Sequence, residues 1–255
     1  MRHVRLIIEY DGTRYQGWQT QRSGLTIQDT IGRAVSGLTG EQSEIRSASR
    51  TDAGVHALGQ VAVFSTVSGL PAATIERALN ATLPQDIRIL RAEELESEFH
   101  PRYRAVKKSY FYLIEKAQKQ SVFTHPYTWR VSSALDVAAM SRAATLLLGE
   151  HDFSAFRAAG CGAKTTVRTV YCISVTSHDH LDFMTVRLKG DFISVRIEAN
   201  AFLRHMVRNI VGTLAEVGKG KISPEEIRGI LASCDRNAAG PTAPARGLFL
   251  EEVFY

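Results

Sequence analysis

One combination of patterns, present in both halves of the chain, constrains the fold most. Strand-like runs rich in β-branched and aromatic residues, such as Val4 to Tyr10 and Ser109 to Glu115, alternate with segments of helical hydrophobic periodicity. Several strands and about two helices in each half predict an α+β fold. With 255 residues, the chain is long enough for one large domain or two ordinary ones with buried cores.

Spacing and capping signals place the individual elements. Thr26 is a suitable N-cap for a helix that reaches about residue 38. Ile27, Ile31, Val35 and Leu38 recur on one face of this helix. Helices are also expected over residues 74–83, 135–148, 200–217 and 224–233, strands over 43–47, 60–64, 87–90, 167–176, 183–189, 192–198 and 247–254, and an irregular loop over 237–246.

A polar and basic stretch, His100 to Lys108, separates the two halves. It lies between two similar patterns of strands and helices, so it is the predicted domain boundary. We expect a first domain over residues 1–105 and a second over residues 106–255. No exact sequence repeat relates the two.

Composition narrows the range of partners and cofactors. The formal net charge of +5 weakly favours a polyanionic partner. Cys161, Cys172 and Cys234 form no C-x-x-C pair, so neither a zinc site nor a disulfide framework is expected.

The first residues pass directly into a strand-like run, and no stretch approaches the roughly 18 apolar residues of a membrane span. We therefore expect a soluble cytoplasmic protein.

The stretch from Ser49 to Ala57 carries the most chemical information. It reads S-R-T-D-A-G-V-H-A and lies between two predicted strands, so Asp52 is expected on a loop held by rigid elements. The same residues are typical of an ordinary turn, in which Asp52 bonds the backbone and Gly54 takes a positive φ. Residue types alone leave a catalytic and a structural interpretation open.

The predicted helix from Asn200 has two different faces. At 100° per residue its apolar side chains fall within one half of the circumference. Arg204, His205 and Arg208 fall on the other half, with the two arginines one turn apart. Such a face is either solvated or available to an anionic ligand.

Five blocks of sequence resemble the tRNA pseudouridine synthase A family, in that family's order and over nearly the whole chain. The blocks are L-I-I-E-Y-D-G-T-R-Y-Q-G-W at 6–18, R-T-D-A-G-V-H-A at 50–57, F-H-P-R-Y with K-S-Y-F-Y at 99–103 and 108–112, N-A-F-L-R-H-M-V-R-N-I-V-G at 200–212, and P-T-A-P-A-R-G-L at 241–248. The resemblance implies a pseudouridine synthase fold: two domains with joined antiparallel sheets flanked by helices, the second completing the cleft.

The resemblance also implies an active site of four residues. Asp52 would be the nucleophile, and Arg50 would keep its carboxylate ionised or bind phosphate. Tyr110 would stack on the target base and help to remove its C5 proton, and Arg208 would lie beside the aspartate. Residue type alone leaves a structural interpretation open for both residues. Arg50 could be a solvated surface charge, and Tyr110 could be a core aromatic, as Phe111 could.

The implied substrate is tRNA, at uridines 38 to 40 of the anticodon stem-loop, and the implied assembly is a homodimer. No redox cofactor is expected, because isomerisation oxidises nothing, and no metal or nucleotide is expected, because the sequence shows no metal-ligand cluster and no glycine-rich phosphate loop. Basic residues outside the active site are candidates for phosphate contacts that position RNA without reading its sequence. They are Arg102, Arg104, Lys107, Lys108, Arg157, Lys164, Arg168 and Arg204.

Two other classes of protein share part of this pattern. A non-catalytic RNA-binding module would have the same basic charge and α+β composition, but it would not need Asp52. An aspartate-dependent hydrolase of a small glycoside would normally need a second carboxylate as general acid, and the motif around Asp52 supplies none. Neither class explains five ordered blocks.

Overall fold

The computed structural model describes residues 1–183 and 185–255. Within these ranges the strands are β1 (Arg2–Tyr10), β2 (Arg46–Ser47), β3 (His56–Thr66), β4 (Ile87–Leu95), β5 (Lys107–Lys116), β6 (Trp129–Val131), β7 (Gly149–Asp152), β8 (Val167–Phe183), β9 (Val186–Ala199) and β10 (Leu248–Phe254). The helices are α1 (Ile27–Thr39), α2 (Ala72–Thr82), α3 (Pro101–Arg104), α4 (Val137–Thr145), α5 (Met206–Gly218) and α6 (Glu226–Ser233). None of these helices is long and apolar enough to cross a membrane.

The chain divides into two compact units. Unit 1 comprises residues 1–106 and 249–255, and unit 2 comprises residues 107–248. The division falls one residue after the predicted boundary, but the closing strand β10 lies in unit 1 rather than with the second half. The reason is strand pairing, since Phe249 and Leu250 of β10 pair in parallel with His56 and Ala57 of β3.

Unit 1 is built on a sheet with the order β4–β1–β3–β10. Strand β1 lies antiparallel to both β3 and β4, and β2 pairs with β3. Val4, Leu6 and Ile8 of β1 are fully buried, as the alternating pattern requires. Burying each such side chain contributes about 1.5–3 kcal/mol, so this strand anchors the unit.

Helix α1 confirms the prediction made from its capping signal. The Thr26 hydroxyl accepts a hydrogen bond from the Asp29 amide at 3.2 Å and donates one to the Asp29 carboxylate at 2.6 Å. Ile27, Ile31 and Val35 are buried, which confirms the predicted apolar face.

Unit 2 is built on a sheet with the order β5–β9–β8–β7, in which these neighbours are antiparallel and β6 adds to β5 in parallel. Helix α4 contacts both β8 and α5. The three strands predicted between residues 167 and 198 are instead the two long strands β8 and β9, because the register shift at residues 190–191 is accommodated within β9 rather than ending it. Helix α3 and strands β6 and β7 were not predicted, since each has only three or four residues.

Helix α5 begins at Met206, so the predicted start at Asn200 was wrong. His205 has a φ of 62°, in the left-handed region, and cannot continue a right-handed helix backwards. Asn200 is tied to β8 instead, because its side-chain oxygen accepts the Thr169 amide at 3.1 Å. Arg204 therefore precedes the helix, and the predicted pairing of Arg204 and Arg208 on one helical face does not occur.

Gly212 tests the packing of α5. A Cβ at this position would overlap the carbonyl oxygen of Pro241, whereas a Cβ at the helical Gly229 would meet nothing within 4 Å. We predict that Gly212→Ala lowers the free energy of unfolding by roughly 2–3 kcal/mol through overpacking. Gly229→Ala should raise it by roughly 0.5–1 kcal/mol, because alanine favours a helix.

Urea unfolding followed by circular dichroism measures both variants. Equal stability of Gly212→Ala and the unchanged protein would contradict the close approach of α5 to the Pro241 segment.

Candidate active site

Asp52 lies on the loop between β2 and β3, in unit 1. Its carbonyl oxygen accepts a hydrogen bond from the Val55 amide at 3.1 Å, and Gly54 has a φ of 75°. These backbone features form the turn that the residue types predict. The Asp52 residue is half-buried and Arg50 is exposed, so the loop carries both charges at its surface.

The opening block of the sequence supports this loop from behind. The Trp18 amide donates to the Thr51 carbonyl at 3.0 Å, and the Gly54 amide donates to the Tyr15 carbonyl at 3.2 Å. Gly17 has a φ of 87°, and a Cβ there would press on the Thr51 carbonyl oxygen. The backbones on both sides of Asp52 are thereby fixed to the same neighbouring segment.

A second set of bonds holds the residues that precede Asp52. Gln60 on β3 is fully buried, and its side-chain amide donates to the Ser49 carbonyl at 2.7 Å and accepts the Ser49 amide at 3.2 Å. The Gln60 amide also donates to the Tyr10 hydroxyl at 3.4 Å. The Tyr10 hydroxyl lies 2.7 Å from the Thr51 hydroxyl. The chain is therefore fixed on both sides of Arg50.

The Tyr10 hydroxyl is a neutral group inside this network. Burial raises its pKa to about 12, and its hydrogen bonds with Thr51 and Gln60 act in the opposite direction. The Tyr10 oxygen accepts from Gln60, and either hydroxyl can be the donor in the bond between Tyr10 and Thr51.

His56 follows the loop and is almost fully buried. Its ring stacks on Phe249 with centroids 4.6 Å apart. Its Nδ1 lies 3.2 Å from the Gly12 amide and 3.1 Å from an Asp11 carboxylate oxygen, so this nitrogen either accepts from the amide or donates to the carboxylate. These contacts pack the His56 ring against β10 and the segment that follows β1.

Tyr110 lies on β5 in unit 2 and is 5% exposed. Its ring meets Phe202 edge-on, with centroids 5.0 Å apart. Tyr112, two residues along the same strand, donates its hydroxyl proton to the Pro244 carbonyl at 2.8 Å. Burial raises the Tyr112 pKa, and the charges of Arg208 and Arg246 only partly oppose that effect. Tyr112 is thus a structural tyrosine, which alternation alone could not separate from Tyr110.

Arg208 is fixed by the closing block of the sequence, also within unit 2. Its Nε donates to the Ala243 carbonyl at 2.7 Å, and the Ala243 amide donates to the Arg208 carbonyl at 3.1 Å. The neighbouring Asn209 is fully buried, and its side chain donates to Phe156 and accepts from Thr242 and Arg236. Residues 241–243 are consequently attached to α5 at two successive positions.

The candidate RNA contacts differ in how accessible they are. Arg102, Arg104, Lys164 and Arg204 are exposed, and Arg157 and Arg168 are half-buried. Lys107 pairs with Glu198 at 2.6 Å, and Lys108 is only 6% exposed. An ammonium in either of these two positions is less available to a phosphate than the exposed guanidinium groups.

The structure brings Arg50 and Asp52 together on one loop of unit 1 and places Tyr110 and Arg208 in unit 2. Among the described residues, no group of three or more His, Cys, Asp and Glu side chains is arranged to bind a metal ion. Sequence reasoning missed Gln60, Tyr10 and Asn209. Each of the three has a polar group at a position where hydrophobic periodicity predicts burial, and this mismatch could have identified them in the sequence.

Comparison with known proteins gives consistent matches. The family model described as tRNA pseudouridine synthase matches residues 6–104 and 143–255. The tRNA pseudouridine synthase A of Acetivibrio thermocellus is 51% identical over 255 residues, and the match covers 100% of both chains. The proteins of the same name from Geotalea uraniireducens and Thermoanaerobacter pseudethanolicus are 46% and 45% identical, again over 100% of both chains. Tyr110 lies between the two segments matched by the family model and within these full-length matches.

Gln60 offers a test of how the loop is held. We predict that Gln60→Leu slows the reaction of the bound substrate at least about tenfold, because Ser49 and Tyr10 lose buried partners and the Asp52 loop loosens. Leaving buried polar groups unpaired should also cost about 1–3 kcal/mol of stability for each group. The matched control is Gln118→Leu, since the exposed Gln118 also donates to a backbone carbonyl, that of Ser132, at 2.9 Å.

Single-turnover rates, substrate affinity and urea unfolding should be measured for both variants. An unchanged single-turnover rate in a folded Gln60→Leu protein would show that the loop does not depend on this amide.

Proposed function

Since this chain belongs to the tRNA pseudouridine synthase family, we propose that it isomerises uridine to pseudouridine at positions 38 to 40 of the tRNA anticodon stem-loop, with Asp52 as nucleophile. The observation that carries the proposal is the placement of Asp52. Its carboxylate is half-buried on a loop whose backbone is fixed on both sides by buried hydrogen bonds. A nucleophile needs such positioning, because its contribution depends on a constant orientation to the reacting atoms.

The reaction explains why one carboxylate is sufficient. The N1–C1′ bond breaks, the base turns, C5 bonds to C1′, C5 loses a proton and N1 gains one. No electrons are gained or lost overall. A carboxylate can form a covalent adduct during these steps or stabilise a cationic sugar, and Asp52 is assigned one of these two roles.

The two active-site arginines have different settings and therefore different proposed roles. Arg50 is exposed two residues before Asp52, where it can bind phosphate or favour the ionised carboxylate. The Nε of Arg208 donates to the Ala243 carbonyl, and this bond fixes the orientation of the guanidinium group. We assign Arg208 to electrostatic support of the reacting group.

Tyr110 is proposed to stack on the target base and to help remove the C5 proton. In support, its ring is held edge-on against Phe202, with the two ring centroids 5.0 Å apart. Holding the freed base also excludes water, whose entry would give hydrolysis instead of isomerisation.

The RNA is proposed to rest on exposed basic side chains, chiefly Arg102 and Arg104 of unit 1 and Arg204 and Lys164 of unit 2. Phosphate contacts of this kind orient a nucleic acid and leave sequence unread. We further propose a homodimer that acts in the cytoplasm, as the resemblance in sequence implies.

A non-catalytic RNA-binding module is the alternative, and Asp52 separates it from an enzyme. We predict that Asp52→Asn lowers the single-turnover rate of pseudouridine formation on the order of 10⁴-fold while tRNA affinity stays within about threefold, because a nucleophile acts in the transition state. The matched control is Asp191→Asn, which removes only a surface ion pair with Lys116 and should be active.

The assay uses an unmodified tRNA transcript and maps pseudouridine by chemical probing. Activity of Asp52→Asn within tenfold of the unchanged protein would remove the nucleophile assignment. The absence of new pseudouridine with the unchanged protein would remove the proposed function.

Substitutions of Tyr110 should separate its two proposed contributions. Tyr110→Phe keeps the flat ring, so tRNA affinity should persist while the proton-removal step slows. Tyr110→Leu loses ring and hydroxyl, so affinity and rate should fall together, with stacking worth roughly 1–3 kcal/mol. Affinity and single-turnover rate on one tRNA measure this, with thermal unfolding as the control for folding. Unchanged turnover in Tyr110→Leu would identify a packing residue.

A further inference from the structure

Helix α3 presents an aromatic side chain to solvent between two cations. Tyr103 is 76% exposed, more than any other aromatic residue whose side chain the structure describes. Arg102 and Arg104 on either side of it are also exposed. A tyrosine this exposed adds little to the hydrophobic core, and most of its surface is open to a ligand.

The turn that carries Tyr103 is nevertheless well fixed. The amides of Tyr103 and Arg104 both donate to the His100 carbonyl at 3.1 Å. The centroids of the Tyr103 and His100 rings lie 4.2 Å apart, and the Arg102 guanidinium lies 5.9 Å from the Tyr103 centroid. The Pro101 carbonyl accepts the Tyr255 hydroxyl at 3.1 Å. Little ordering entropy remains to be lost when a ligand binds to this ring.

Within unit 1, Tyr103 lies on a helix that packs against the strands on either side of the Asp52 loop. Helix α3 contacts β2 and β3, the two strands that flank the Asp52 loop. Arg46 of β2 pairs with Glu98, just before α3, at 3.2 Å. The exposed aromatic and its two arginines therefore belong to the same compact unit as Arg50 and Asp52.

We propose that Tyr103 is a stacking platform for an unpaired base of the tRNA substrate, with Arg102 and Arg104 binding the phosphates that flank that base. Single-stranded nucleic acids are bound by this combination, in which an aromatic face stacks on a base and cations follow the backbone. The proposal rests on the proposed function for its RNA substrate, and it adds a base contact away from the reacting uridine.

The experiment measures tRNA affinity for four variants with an unmodified tRNA transcript over a range of salt concentrations. Tyr103→Ala should weaken binding about 5- to 150-fold, the equivalent of one lost base–aromatic stack. Tyr103→Phe should bind within about twofold of the unchanged protein, because it keeps the ring. The matched control is Tyr171→Ala on β8, which removes a tyrosine that is 53% exposed and should leave affinity unchanged.

Salt dependence separates stacking from charge. Arg104→Ala should reduce the slope of log affinity against log salt by about 0.7–0.9, as expected for one lost phosphate contact. Tyr103→Ala should leave that slope unchanged.

Three outcomes would overturn the inference: unchanged affinity in Tyr103→Ala, equal weakening in Tyr103→Phe, or equal weakening in Tyr171→Ala. The proposed function fails separately, if the unchanged protein binds tRNA but forms no pseudouridine. Loss of tRNA binding specific to Tyr103→Ala and rescued in Tyr103→Phe supports the platform in either case.

Discussion

The buried amide of Gln60 is the constraint on which the candidate active site depends most. It satisfies both backbone groups of Ser49 and also reaches the hydroxyl of Tyr10, which supports Thr51. A fully buried glutamine is stable only when its hydrogen bonds are made, so the loop conformation and the core of unit 1 require each other. Any movement of the Asp52 loop would leave several buried polar groups unpaired.

In unit 2 the buried Asn209 holds a neighbouring segment by hydrogen bonds, as Gln60 does in unit 1. Its side chain joins α5 to the closing block through Thr242 and Arg236, and the adjacent Arg208 is oriented by Ala243. In both units a neutral amide inside the core fixes a charged residue at its edge. The cost of burying a neutral group is smaller than that of burying a charge, which explains why the supporting residues are amides.

Local chemistry could be predicted from the sequence, and long-range partners could not. The cap at Thr26 depends on Asp29, three residues away, and α1 was predicted nearly to its ends. Gln60 and Tyr10 meet across 50 residues of sequence, so nothing near either one shows the contact. The start of α5 was predicted wrongly for the same reason. A hydrogen bond from the Thr169 amide to the Asn200 side chain takes the place of the helical turn that periodicity predicts. The candidate role of Asp52 was inferred from the sequence resemblance. The hydrogen bonds that hold its loop are visible only in the structure.

The parallel pairing of β10 with the beginning of β3 has a consequence for biosynthesis. Unit 1 is discontinuous, because Phe249 and Leu250 complete the sheet beside His56 and Ala57 only after all of unit 2 has been translated. Until the ribosome has passed that point, the first residues of β3 lack their β10 neighbour, and this short open edge can pair with other chains. The sheet of unit 1 therefore reaches its native pairing only after the intervening 142 residues of unit 2 (107–248) have been synthesised.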